Sequence, residues 1–137
     1  MLRVSPDGGV VWVQTVGANT NVVLDAASME TLHTEPTGRG PVTSAFGPAG
    51  GRYGLVTHLE EPFVLALERD TGREVRRIDV GGPQANPSIT PDGATAYVTV
   101  TSRNEVVAID MRELAVVGRI RTGEEPMGLV VFDPAPT

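Results

Sequence analysis

The chain has 137 residues, room for one domain of ordinary size. With 40% hydrophobic and 20% charged residues it is too apolar for disorder, yet it lacks an apolar run long enough to span a membrane. Seventeen acidic residues against eleven basic ones leave a net charge of −6, which argues against non-specific nucleic-acid binding; there is no cysteine for disulfide or thiolate chemistry. All the basic residues are arginine. Sixteen glycines and eleven prolines, with recurrent Val and Thr, give a strand-and-turn vocabulary.

In chain order, the first signal is the turn Ser5-Pro6-Asp7-Gly8. Asp can hydrogen-bond its own turn backbone, and Gly supplies positive φ. The apolar run after it contains Trp12. A second turn follows at Phe46-Gly47-Pro48-Ala49-Gly50, a third at Thr90-Pro91-Asp92-Gly93 and a fourth at Phe132-Asp133-Pro134. Their prolines recur at intervals of 42, 43 and 43 residues. Other positions keep the phase: Trp12, Gly54 and Tyr97; Leu24-Asp25, Leu67-Glu68 and Ile109-Asp110; Thr37-Gly38, Val80-Gly81 and Thr122-Gly123; Pro41, Pro83 and Pro126.

Each repeat reads as four short strands. In the third repeat they are Pro87–Thr90, Thr95–Thr101, Glu105–Asp110 and Ala115–Arg121, with prolines and glycines between them. No segment carries a capped helical stripe. Four antiparallel strands every 42–43 residues make a β-propeller blade, whose period is about 40–45 residues. A sandwich with accidental regularity is the competing reading. The expected architecture is all-β: blades over about 1–41, 42–86 and 87–126, then an extra strand over 127–134. Since propellers have about 4–8 blades, three leave apolar faces uncovered. Two explanations are open. Two copies close a six-bladed ring as a homodimer, or the chain is a fragment of a longer propeller.

The run Pro87-Ser88-Ile89-Thr90-Pro91-Asp92-Gly93, then Ala96-Tyr97-Val98-Thr99-Val100 and Val106-Val107-Ala108-Ile109-Asp110, resembles the YVTN-type β-propeller repeat. Val100 stands in place of its asparagine, and the first two repeats are looser, with Trp12-Val13-Gln14-Thr15 and Gly54-Leu55-Val56-Thr57. The resemblance implies the fold. It implies little about function, because relatives range from surface-layer and periplasmic proteins to lactonase-like and haem-containing propellers.

Candidate site residues follow from the blade plan, which puts the loops between second and third strands (B–C) beside those between blades (D–A). The B–C loops carry Asn19 and Asn21, then His58, Glu60 and Glu61, then Arg103, Asn104 and Glu105. The D–A loops carry Arg39, then Gln84 and Asn86, then Glu124 and Glu125. His58 with Glu60 and Glu61 is the one His–carboxylate cluster, and it admits a divalent metal or acid–base chemistry of lactonase-like type. Its spacing matches no established motif. No phosphate loop, Gly-x-Ser-x-Gly elbow or His-Glu-x-x-His is present. The expectation is a non-enzymatic binding or scaffold module, a homo-oligomer with a small-molecule or protein ligand. No cofactor is called for, and neither nucleic acid nor membrane is an expected partner. His33 is expected on an outer strand, and the arginines around 69–77 on a solvated face. No signal-peptide pattern precedes the first turn, so the compartment, cytoplasmic or exported, stays open.

Overall fold

The computed structural model describes residues 1–132. Twelve strands form three four-stranded antiparallel sheets. The first holds β1 (Leu2–Val4), β2 (Val10–Thr15), β3 (Thr20–Asp25) and β4 (Thr31–Pro36). The second holds β5 (Pro41–Phe46), β6 (Tyr53–His58), β7 (Phe63–Glu68) and β8 (Glu74–Asp79). The third holds β9 (Pro87–Ile89), β10 (Thr95–Val100), β11 (Glu105–Asp110) and β12 (Ala115–Arg121). Thr101 leaves the expected second strand of this sheet to begin a 3-10 turn, Thr101–Arg103, before Asn104 turns left-handed at φ 55°.

The turns behave as their chemistry requires. Asp7 Oδ1 accepts from Ser5 Oγ at 2.7 Å and from Gly9 N–H at 3.0 Å. Asp92 Oδ1 accepts from Thr90 Oγ1 at 2.6 Å and from Ala94 N–H at 2.9 Å. Gly8 and Gly93 sit at φ 74° and 75°, where an L side chain is strained. The repeat extends to irregularities: each sheet bulges between its third and fourth strands at Val23/Leu24, Ala66/Leu67 and Ala108/Ile109. A bulge at one phase in three repeats is a designed bend.

The register corrects one sequence alignment. Trp12 faces Val23, Leu55 faces Ala66 and Tyr97 faces Ala108, so Leu55, not Gly54, is the counterpart of Trp12 and Tyr97. The loop from β5 to β6 spans residues 47–52, one more than 5–9 or 90–94. Counting from its proline therefore falls one residue short.

Two apolar seams join the sheets. Val10, Trp12 and Val23 of the first sheet pack on Val56, Leu65 and Leu67 of the second, with Phe46 and Phe63 alongside. Leu55, Val64, Ala66 and Ile78 of the second pack on Ala96, Val98, Val107 and Ile109 of the third, with Met111 and Leu114. Tyr97 alternates with Ala96 and Val98 along β10, so it lies on the far face of the third sheet and not within a seam.

Residues 127–132 form no ladder strand, which corrects the strand expected over 127–134; residues 133 and 134 lie outside the described residues. The segment nonetheless follows β9. Asn86 Nδ2 donates to Leu129 O at 3.0 Å, Val131 N–H donates to Ser88 Oγ at 3.2 Å, and Thr99 Oγ1 donates to Met127 O at 2.9 Å. Thr57 makes the same bond to Ala85 O at 2.7 Å one repeat earlier. The segment thus occupies the inner-strand position of a next blade without a ladder partner.

Candidate functional site

The B–C and D–A loops meet at one end of the sheets, as the topology requires, and their polar groups mostly bind each other. Asn19 and Asn104 both turn left-handed at φ 55°. Asn19 Oδ1 accepts from Gly40 N–H at 3.1 Å, and Asn104 Oδ1 accepts from Glu125 N–H at 2.9 Å. The corresponding positions of the middle repeat are Pro62 and Pro83, so acceptor and donor are both lost together. Asn21 is buried, and its Oδ1 accepts from Gln14 Nε2 at 2.7 Å. Gln14 Oε1 and Asn21 Nδ2 have no partner among the described residues.

His58 is fully buried. Its Nε2 accepts from Gly38 N–H at 3.1 Å and its Nδ1 lies 3.2 Å from Phe63 O, which defines a neutral ring protonated at Nδ1. Its backbone N–H donates to Gln84 Oε1 at 3.0 Å. Gln84, also fully buried, returns hydrogen bonds to Glu61 O and Gly82 O, each at 2.6 Å. Burial pushes the His58 pKa down, against an opposing push from Phe63 O and Glu61. With both ring nitrogens bonded to backbone, His58 ties the second sheet to the loop from β4 to β5. A metal would have to displace one of those bonds.

The Glu61 carboxylate accepts from Arg39 N–H at 3.0 Å and Arg39 Nε at 3.3 Å; the backbone bond leads in holding its carboxyl below the ordinary range. Glu60 is exposed and does not join His58 in a chelating set. Among the described residues no three His, Asp or Glu side chains converge as metal ligands. Arg103 Nε and Arg119 Nη1 donate to Glu105 Oε1 at 2.9 and 2.6 Å. Burial pushes Glu105 up, and these two bonds more than offset it, so the carboxyl sits below its usual value. Glu124 and Glu125 are exposed.

Asn86 is placed differently. It lines a groove of about 380 Å³ along the inner strands β1, β5 and β9, with Arg3, Ser44 and Ser88 on its walls. Ser44 Oγ is buried and has no partner among the described residues. In a closed propeller these inner strands line the central channel.

Several determinants escaped the sequence reading. Arg119 anchors Glu105 from an outer strand. Arg69 is nearly buried, where a solvated arginine was expected: it pairs with Asp70 at 2.9 Å and Asp7 at 3.4 Å, joining turns of two sheets. Arg77 lies 4.7 Å over the Phe63 ring. His33 is half-buried on β4, 2.8 Å from Glu35. Thr57 and Thr99, 42 residues apart, carried a signal that the repeat phase could have exposed.

No family model and no curated protein sequence matches the chain. Solved structures do. Hydrazine synthase from Kuenenia stuttgartiensis superposes with a TM-score of 0.83 at 26% identity, over 90% of this chain and 35% of that one. The dihydro-heme d1 dehydrogenase NirN, in complex with DHE, gives 0.77 at 15% identity over 92% and 28%. The WD40 repeats of RRP9 give 0.79 at 16% identity over 89% and 38%. The chain therefore spans about a third of the length of these neighbours. It is three blades of a β-propeller. The neighbours include enzymes and a WD40 repeat protein, so the shared fold sets no activity.

Proposed function

We propose that this chain is a non-enzymatic propeller module that binds a ligand or protein partner at its B–C and D–A loop end once further blades complete the ring. The carrying observation is the state of its two end faces. Leu2, Val4, Val11, Val13, Val22 and Leu24 share one side of the first sheet by register, and Leu2 and Val4 are 59% and 53% exposed. Tyr97, Val106, Ala108 and Ile120 share the far side of the third sheet. Apolar faces of this kind mark interaction surfaces. A second copy supplies both complements at once: the third blade of each chain packs on the first blade of the other, giving a closed two-fold ring of six blades.

The alternative is that further blades of a longer chain cover these faces. Residues 127–132 favour it, because they already hold the inner position beside β9 that β1 of a second copy would need. A lactonase-like role at His58 is less well supported, since both ring nitrogens serve the backbone. Light scattering on the purified chain tests the reading: a mass of two chains is expected, and a stable single-chain species contradicts it. Metal analysis alongside, with His58→Ala as control, returns His58-dependent binding only if the hydrolase reading holds.

A further inference from the structure

At the opposite end from the loops discussed above, a cleft of about 540 Å³ opens between the second and third blades. That is within the size range of small-molecule sites, about 300–1,000 Å³. Its walls come entirely from this chain, so it exists whatever completes the ring.

At the equivalent place between the first and second blades, side chains take up the space. There the Trp12 indole lies against Phe46 at 4.6 Å between ring centres and donates from Nε1 to Arg69 O at 3.2 Å. The Asp7–Arg69–Asp70 ion pairs seal the rim. One repeat on, Leu55 replaces Trp12, and Met111 stands where Arg69 stood. Both the indole and the guanidinium plug are missing, and the cleft lined by Tyr53, Ile89 and Met111 is what remains.

The rim is charged. Arg52 stacks over the Tyr53 ring at 5.2 Å, and Arg112 also lines the opening. Both are exposed, and neither has a salt-bridge partner among the described residues. The two carboxylates there stay charged, with the Glu113 N–H first and Arg112 also helping to hold Asp110 ionised, but each spends its Oδ1 on its own turn. Asp92 accepts from Thr90 Oγ1 and Ala94 N–H, and Asp110 accepts from the N–H groups of Arg112 and Glu113. Among the described residues neither guanidinium is held in a direct ion pair, so both can turn to a ligand carboxylate above an apolar, partly aromatic floor.

We propose that this cleft binds a small flat organic acid, its ring on Ile89 and Met111 beside Tyr53 and its carboxylate at Arg52 and Arg112. The probe is 2-naphthoate, titrated into the 137-residue chain and followed by the methyl NMR signals of Ile89 and Met111. Saturable shifts at those methyls are expected. The neutral 2-naphthamide should bind about tenfold more weakly, and Arg52→Met and Arg112→Met should each weaken naphthoate by about 3–10-fold, as lost charge-assisted hydrogen bonds at an exposed rim. Both substitutions are at the surface and leave the seam intact. Equal binding of the amide or of 2-naphthylmethylammonium, naphthoate affinity unchanged in both variants, or shifts confined to other methyls would overturn the proposal.

Discussion

The two seams of this molecule solve one packing problem with different residues. Between the first and second blades a single indole fills the space, and its neighbour across the seam is Gly54, where a Cβ would lie 2.6 Å from Trp12 Cη2. Between the second and third blades the pair is Leu55 and Ala96, and the one ring packed there among the described residues, Tyr53, is only half-buried. The aromatic seam is sealed to its rim by Arg69, while the aliphatic seam ends in a cleft. Similar backbone plans therefore leave a cleft at one seam where side chains fill the other. Close packing makes such swaps pairwise: the large residue needs the glycine opposite.

Substitutions can break this contrast. Trp12→Ala removes a fully buried indole, its hydrogen bond to Arg69 O and its contact with Phe46. It should cost about 3–5 kcal/mol, and Leu55→Ala should cost at least 1 kcal/mol less, within the range of about 2–5 for buried leucines. Denaturant titration of both variants checks the difference. Gly54→Ala should destabilise by about 1–3 kcal/mol through overpacking against Trp12, whereas its counterpart Ala96 already accepts a methyl in the other seam. The same titration, repeated in a Trp12→Leu background, should show most of that penalty removed.

The loop end offers a second contrast, between buried clasps and exposed charges. Gln84→Ala leaves His58 N–H, Glu61 O and Gly82 O without their partner, which should cost about 1–3 kcal/mol in thermal or chemical unfolding. Glu124→Ala, at an exposed position, should leave the melting temperature unchanged. The smallest effect concerns pH. Burial lowers the His58 pKa below its ordinary 6.5, so the folded chain binds this proton less readily than the unfolded one. The stabilisation is present above pH 6.5 and falls away as the pH drops towards the folded value. Melting temperature between pH 7.5 and 5 should therefore decline, and the decline should be shallower in His58→Gln. Glu61, the carboxylate that acts on His58, is held below its ordinary range and stays ionised across that window.

Much of the fold was legible because turn chemistry is local. Pro-Asp-Gly, with its own hydrogen bonds and positive φ, announces itself in the first and third repeats, Gly47-Pro48-Ala49-Gly50 marks the second, and strand alternation fills the intervals. The period faltered where the chain inserted a residue: the loop 47–52 shifted Gly54 into the phase that belongs to Leu55. The blade plan names the loop end, but several partners there lie 20 or more residues apart in sequence, as with Gly38 and His58 or Arg39 and Glu61. Only three-dimensional closure tells a structural clasp from a free ligand group. The cleft at Arg52 and Arg112 was invisible for the same reason. It is defined by what Leu55 and Met111 fail to fill.

The central proposal is that a second copy of the chain covers the two end faces. Sedimentation equilibrium of the purified chain addresses this most directly. A species of two 14.4 kDa chains is predicted, dissociating when Val13→Asp or Val106→Asp places charge on an end face. A monodisperse 14.4 kDa particle with a cooperative thermal transition, unchanged by either substitution, would contradict it.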